Sequence, residues 1–247
     1  ASLVMDATFE GAIQQELIDL GIEEAVAKRI LGYAESSAKA DTDRTTFQAM
    51  EALVHNLNTM HSRAGAQTPF SSINYGMDTS AEGRMVIKNM LLATEEGLGS
   101  GETPIFPVQI FRVKEGVNYN PGDPNYDLFK LAMRCSAKRL FPNFSFVDAP
   151  FNLQYYKGTP ETEISYMGCR TRVMGNVYDP SREITTGRGN LSFTSINLPR
   201  LAIRSKGDRD LFFDLLDAKL ALVVGQLDER FKIQASKHVY NAPFLMG

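Results

Sequence analysis

The chain has 247 residues, 43% of them hydrophobic and 22% charged, with a net charge of −3 and a pI of about 5.7. This is the composition of a globular protein that buries a sizeable core in one large domain or two small ones, which excludes disordered and fibrous classes. The acidic balance provides no basic face for a nucleic-acid backbone, no apolar run approaches the roughly 20 residues that span a bilayer, and no charged-then-apolar leader opens the sequence. A cytoplasmic protein with neither nucleic acid nor membrane as partner is therefore expected.

From Phe9 to about Ala40 apolar residues recur at helical spacing, and Gly21 divides them into two short amphipathic helices. "DTDRTTFQAMEALVHNLNTMHSRAG" then offers Asp and Thr as caps, a long helix through Phe47, Met50, Leu53, Leu57 and Met60, and Gly65 as its stop. "TPFSSINYGMD" reads as a short strand, followed by a helix from Ala81 to about Leu98. "TPIFPVQIFRVKEG" reads as a buried strand and "NYDLFKLAMRCSAKRLFPN" as a helix with Leu128, Leu131, Ala132, Cys135 and Leu140 on one face, which makes Cys135 core packing. "FSFVDAPFNLQYY" is the next strand region. After a Gly- and Thr-rich connection, "NLSFTSINLPRLAIRS" reads as a further strand, and a long helix runs from about Asp208 to Lys237. Alternating strands and helices predict an α/β fold with parallel pairing.

Familiar catalytic patterns are missing. His55, His61 and His238 have no metal-ligand spacing, and there is no G-x-S-x-G elbow, P-loop or G-x-G-x-x-G turn. Cys135 and Cys169 form no close pair, so reduced thiols are the simpler expectation, with a single disulfide the alternative. Cys169 sits in "SYMGCRTRVMGNV" with Met167, Arg170 and Arg172 around it and Arg188 and Asn190 downstream. The residues alone leave two readings of it: a small apolar filler, or a reactive sulfur whose partner comes from elsewhere in the fold. "PFSSIN" (69–74) and "SFTSIN" (192–197) echo one another; two related half-barrels would place such polar strand ends at one mouth, where a phosphate or ribose fits. The missing initiator Met and the apolar end "HVYNAPFLMG" read as a piece of a longer chain.

Longer phrases carry a resemblance. "QAMEALVHNLNTMHSRAGAQTPFSSINYG", "FPNFSFVDAPFN", "YMGCRTRV" and "GRGNLSFTSINLPRLAI" resemble the anaerobic (class III) ribonucleoside-triphosphate reductases, from about Thr46 to the C-terminus. The resemblance implies an N-terminal helical region (1–64) followed by part of a ten-stranded glycyl-radical-enzyme barrel (65–247). It implies an oxidoreductase that makes deoxyribonucleoside triphosphates by thiyl-radical chemistry. Cys169 matches the finger-loop cysteine that abstracts the ribose 3′ hydrogen, Met167 an active-site methionine, and Asn190 the asparagine bonding the ribose hydroxyls. Ser71, Ser72, Thr194 and Ser195 match a phosphate-binding role, with ordinary strand-end capping as the alternative.

The same resemblance implies a glycyl radical on a C-terminal domain, zinc in that domain, formate or a thiol as reductant, a radical-SAM iron–sulfur activase, a homodimer, and allosteric dNTP or ATP. No glycyl-radical loop, four-cysteine zinc site or partner cysteine is matched in these 247 residues, so the piece is expected to be inactive alone. The alternative is a catalytically incomplete piece that binds nucleotide or a partner chain. A lyase related to pyruvate formate-lyase shares the fold, but "GRGN" after "MGC" favours the reductase.

Overall fold

A computed structural model describes residues 7–60, 68–159, 162–168, 171–173, 179, 181 and 191–241. They fall into two units, Ala1–Thr186 and Gly187–Gly247. In the first, α1 (Ala7–Asp19) turns at Gly21 into α2 (Glu24–Thr59). A single 36-residue helix thus replaces the two separate helices expected over this stretch. No glycine or proline interrupts it from Tyr33 to Thr59, and the supposed caps work inside it. Thr42 Oγ1 donates back to the Ala38 carbonyl at 2.7 Å, and Asp43 accepts from Asn89 Nδ2 at 2.8 Å. Gly65 and His61 lie outside the described residues.

The remaining elements of this unit are β1 (Ser72–Tyr75), α3 (Ala81–Glu96), β2 (Val108–Val113), α4 (Tyr126–Arg139), β3 (Asn143–Phe146), α5 (Pro150–Leu153), β4 (Ser165–Met167) and β5 (Thr171–Val173). The first three strands form a parallel sheet in the order β1-β2-β3, with Asn74 level with Ile110 and Ile110 level with Asn143. The central β2 is buried at every residue but the half-buried Arg112, and both its edges are paired. The strand expected over "FSFVDAPFNLQYY" ends at Phe146, because Pro150 starts α5.

Side chains alternate across the sheet. One face turns Phe111 and Val113 into a core with Ile87 and Leu91 of α3 and Leu128, Ala132 and Cys135 of α4. Cys135 is fully buried there, its Sγ donates to the Leu91 carbonyl, and burial, with Glu95 nearby, pushes its thiol up to about 11. The polar groups on this face satisfy one another: Tyr75 donates to Gln109, and Gln109 to Thr94. The helix-free face carries Ser72, Asn74, Val108, Ile110, Arg112, Asn143 and Ser145.

Ser80 caps α3 by accepting from Gly83 N–H, and Gly97 ends it at φ 86°, where an added Cβ would lie 2.5 Å from the Glu102 carbonyl. Three links fasten α3 to α2: Lys88 to Asp43, Asn89 to Asp43, and Thr46 to Met85.

In the second unit α6 (Leu198–Ser205) packs against α7 (Arg209–Ala235), and a 3-10 turn follows at Val239–Asn241. The strand expected over "NLSFTSINLPRLAIRS" is absent: residues 191–197 are irregular and α6 begins where Asn197 Oδ1 accepts from Arg200 N–H and Pro199 occupies the first turn. The fold class is mixed α/β with small sheets, and the described residues form no closed barrel. No helix among them is long and apolar enough to cross a membrane.

Candidate active site

β4 and β5 form an antiparallel hairpin with Tyr166 opposite Arg172 and Met167 opposite Thr171. Residues 168–170 connect them, so Cys169 is the middle residue of a three-residue connection. Gly168 opens it at φ 61°, a left-handed conformation that favours glycine, with Phe70 within 3.4 Å of where a Cβ would stand. β5 pairs one edge of β4. The other edge meets side chains of β1: Asn74 Nδ2 donates to the Tyr166 carbonyl at 2.7 Å, Asn74 Oδ1 accepts from Tyr166 N–H at 2.9 Å, and Ser72 Oγ accepts from Gly168 N–H at 3.0 Å. Two steps along β1 thus match two steps along β4.

The approach to β4 is held by charge. Glu163 accepts from Arg112 Nη1 at 3.3 Å and Lys114 Nζ at 3.1 Å, and its side chain is only 14% exposed. Burial lowers the Arg112 pKa, with Glu163 opposing, while for Lys114 the partners Glu163, Tyr156 and Asp148 outweigh burial and raise it. Within β5, Arg172 donates to the Phe151 carbonyl at 2.8 Å and stacks over the rings of Phe151 and Tyr155. A cleft of about 840 Å³ opens on the helix-free face, lined by Val108, Ile110, Asn143, Ser145 and Tyr166. Among the described residues the buried Ser145 Oγ and Arg112 Nε have no hydrogen-bond partner.

Of the residues expected from sequence, Met167 ends β4, half-buried. Cys169, Asn190, Arg170 and Arg188 lie outside the described residues. Ser71 makes a long 3.5 Å contact to the Pro69 carbonyl, and Ser72 holds Gly168. Thr194 and Ser195 belong to the second unit, where they line a cleft of about 340 Å³ with Asn197, Arg200, Arg204 and Lys219. Arg230 donates to Ser192 Oγ, the Phe193 carbonyl and Thr194 Oγ1. Asn74, Glu163 and the three cations of the cleft are additions that sequence reasoning passed over. Polar residues at alternate positions of an otherwise apolar strand, Ser72 and Asn74, were the signal available.

No group of three or more His, Cys, Asp or Glu among the described residues is arranged to hold a metal ion. The family model described as anaerobic ribonucleoside-triphosphate reductase matches residues 4–247. The anaerobic ribonucleoside-triphosphate reductase of Haemophilus influenzae is 37% identical over 85% of this chain and 29% of its own length. Those of Salmonella typhimurium (36%, 76% of this chain, 26% of its own) and Enterobacteria phage T4 (38%, 71% and 28%) are similar to the same degree. The chain spans little more than a quarter of the length of these relatives. It belongs to the anaerobic ribonucleoside-triphosphate reductase family.

Proposed function

We propose that this chain is the part of an anaerobic reductase that presents Cys169 to the ribose of a ribonucleoside triphosphate, within a ten-stranded barrel preceded by the helices of residues 1–64. The observation that carries the reading is the β4–β5 hairpin: Met167 ends one strand, Cys169 follows at the middle of the three-residue connection, and the hairpin rests on the helix-free face of the sheet. Cys169 stays a neutral thiol until its hydrogen atom is taken. Its sulfur then accepts the ribose 3′ hydrogen, so the C3′–H bond breaks and the S–H bond re-forms. Such atom transfer wants an apolar, water-poor setting and no base, in keeping with a cysteine that has no histidine near it in sequence. Asn190, which both donates and accepts, is assigned to the ribose hydroxyls.

A glycyl radical supplied by a C-terminal domain, and generated by a radical-SAM activase, provides the unpaired electron when present. Formate or a thiol is the reductant, and zinc belongs to that same domain. Substrate phosphates are assigned to Ser71 and Ser72 in the first unit and, separately, to Thr194 and Ser195 in the second, where Arg200, Arg204 and Lys219 support an anionic ligand. Homodimerisation through the N-terminal helices, allosteric dNTP or ATP, and a cytoplasmic setting complete the reading.

The test is Cys169→Ser and Cys135→Ser in the natural full-length polypeptide, activated anaerobically. Cys169→Ser is expected to abolish deoxynucleotide formation and tritium release from 3′-labelled substrate while nucleotide binding persists, and Cys135→Ser to retain turnover. Turnover surviving in Cys169→Ser sinks the assignment.

A further inference from the structure

We propose that Ser72 and Asn74 are positioning residues that fix the backbone on which Cys169 is carried; the inference rests on the reading of Cys169 as the radical cysteine. β4 is three residues long and, among the described residues, has a strand on one edge only. A short, half-paired strand leaves its outer peptide groups to slide or twist. Here those groups are taken by side chains. The Asn74 carboxamide offers one donor and one acceptor in a plane, as a peptide unit of a neighbouring strand would, and closes on both polar atoms of Tyr166 at 2.7 and 2.9 Å. Two residues on, the next outward N–H of this edge, Gly168, is held by Ser72 Oγ at 3.0 Å.

The match follows from shared periodicity. Ser72 and Asn74 are alternate residues on one face of β1, and Tyr166 within β4 and Gly168 one residue past its end are alternate N–H donors to them, so the two spacings coincide. An apolar residue at either β1 position would fill the space without fixing the height of the hairpin above the sheet. Gly168 immediately precedes Cys169, which makes its N–H the last point of attachment among the described residues before the sulfur-bearing position. Glu163, paired to Arg112 and Lys114, holds the chain two residues ahead of β4 and sets where the strand begins. Ser72 and Asn74 set where it ends.

Atom transfer falls off steeply with displacement of the reacting atoms, so a small change in hairpin height made at Asn74, which has no assigned contact with substrate, reaches turnover without touching substrate binding. The experiment uses the natural full-length polypeptide with Ser72→Ala, Asn74→Ala and Ser72→Thr. Alkylation of Cys169 by iodoacetamide is followed by peptide-resolved mass spectrometry, and the buried Cys135 reports any general opening. Ser72→Ala is expected to speed Cys169 alkylation about fivefold, the change that releasing one hydrogen bond makes in a local opening equilibrium, and Asn74→Ala, which releases two, to speed it more, with Cys135 still protected. Ser72→Thr, which keeps the hydroxyl, returns the rate to that of the parent. In turnover, Asn74→Ala lowers kcat at unchanged KM for ribonucleotide. An unchanged Cys169 rate in both alanine variants, or a rise matched by Cys135, overturns the proposal. The radical reading fails separately, by turnover in Cys169→Ser, and the alkylation arm decides the positioning role in either case.

Discussion

The carboxamide of Asn58 closes on the backbone of Phe106: its Nδ2 donates to the Phe106 carbonyl at 2.6 Å and its Oδ1 accepts from Phe106 N–H at 3.0 Å. Oδ1 also accepts from Ile105 N–H at 2.8 Å, and Nδ2 donates to Val54 within α2, so all four hydrogen-bonding capacities of the side chain are used. One residue on the last turn of α2 thereby fixes the entry to β2. Asn58→Ala is expected to cost about 1–3 kcal/mol, since the freed peptide groups recover only part of their bonding from water. Asn58→Asp, which keeps the acceptor but turns a carboxylate toward the Phe106 carbonyl, is expected to fall at the lower-stability end. Urea midpoints of the two variants check this; equality of both with the parent contradicts it.

That link also marks what a sequence can disclose. The elements from β1 to α4 were legible because each signal is local: a short strand stretch "TPFSSINYGMD" ahead of a helical one, and an apolar face through Leu128, Ala132 and Cys135. "NLSFTSIN" misled because its apolar alternation fits a strand, whereas Leu191 and Phe193 are 61% and 84% exposed and the helix cap at Asn197 decides the local structure. The echo between residues 69–74 and 192–197 is real in letters and not in local role: Asn74 lies within a strand and grips Tyr166, Asn197 starts a helix. The importance of "MGC" was legible only through resemblance. Its seating was not, because Asn74 and Tyr166 are 92 positions apart and no spacing rule connects them.

Phe111 carries the sheet-to-helix packing. It is fully buried, with ring centroids 5.7 Å from Tyr75, 6.2 Å from Phe129 and 6.1 Å from Phe144. Removing the ring leaves a cavity that neither the paired β2 backbone nor the α4 side chains can close, so Phe111→Ala is expected to cost about 3–5 kcal/mol and Phe111→Leu less. A loss below about 1 kcal/mol for Phe111→Ala in chemical denaturation would show that the core relaxes around the gap.

Acid should loosen the helices before it reaches the core. The Asn89 amide, aided by Lys88 and opposed by slight burial, lowers the Asp43 pKa, and the Arg134 guanidinium does the same for Glu95. A carboxyl depressed in the folded state binds fewer protons than in the unfolded chain. Its stabilising contribution is therefore complete above the unfolded values, about 3.9 for Asp and 4.3 for Glu, and is lost as pH falls through the lower folded values. Stability should be flat from neutral pH to about pH 5 and decline below pH 4. Asp43→Asn should shrink that decline while lowering stability at pH 7, measured as urea midpoints at pH 7, 5 and 3. The same acid slope in Asp43→Asn and the parent would place the titration elsewhere.

Glu163 faces two cations, Arg112 and Lys114, at the approach to the hairpin, and the cost of losing it depends on burial. Its side chain is 14% exposed and that of Arg112 20%, an environment between the surface pairs worth about 0–1 kcal/mol and the fully buried pairs whose breaking costs about 3–5 kcal/mol. Glu163→Ala is expected at about 2 kcal/mol, because Arg112 stays cationic and keeps a partly desolvated charge with no counter-ion beside the partnerless Nε. Glu163→Gln leaves an acceptor oxygen and removes the charge, so it should recover the packing and not the attraction. Arg112→Met in the Glu163→Ala background removes the stranded charge. If desolvation is the cause, the double variant is more stable than Glu163→Ala alone, a sign that an exposed ion pair would not produce. A double-mutant cycle by urea denaturation reads that sign directly, and additive losses would mean that Glu163 holds the chain by packing and not by charge.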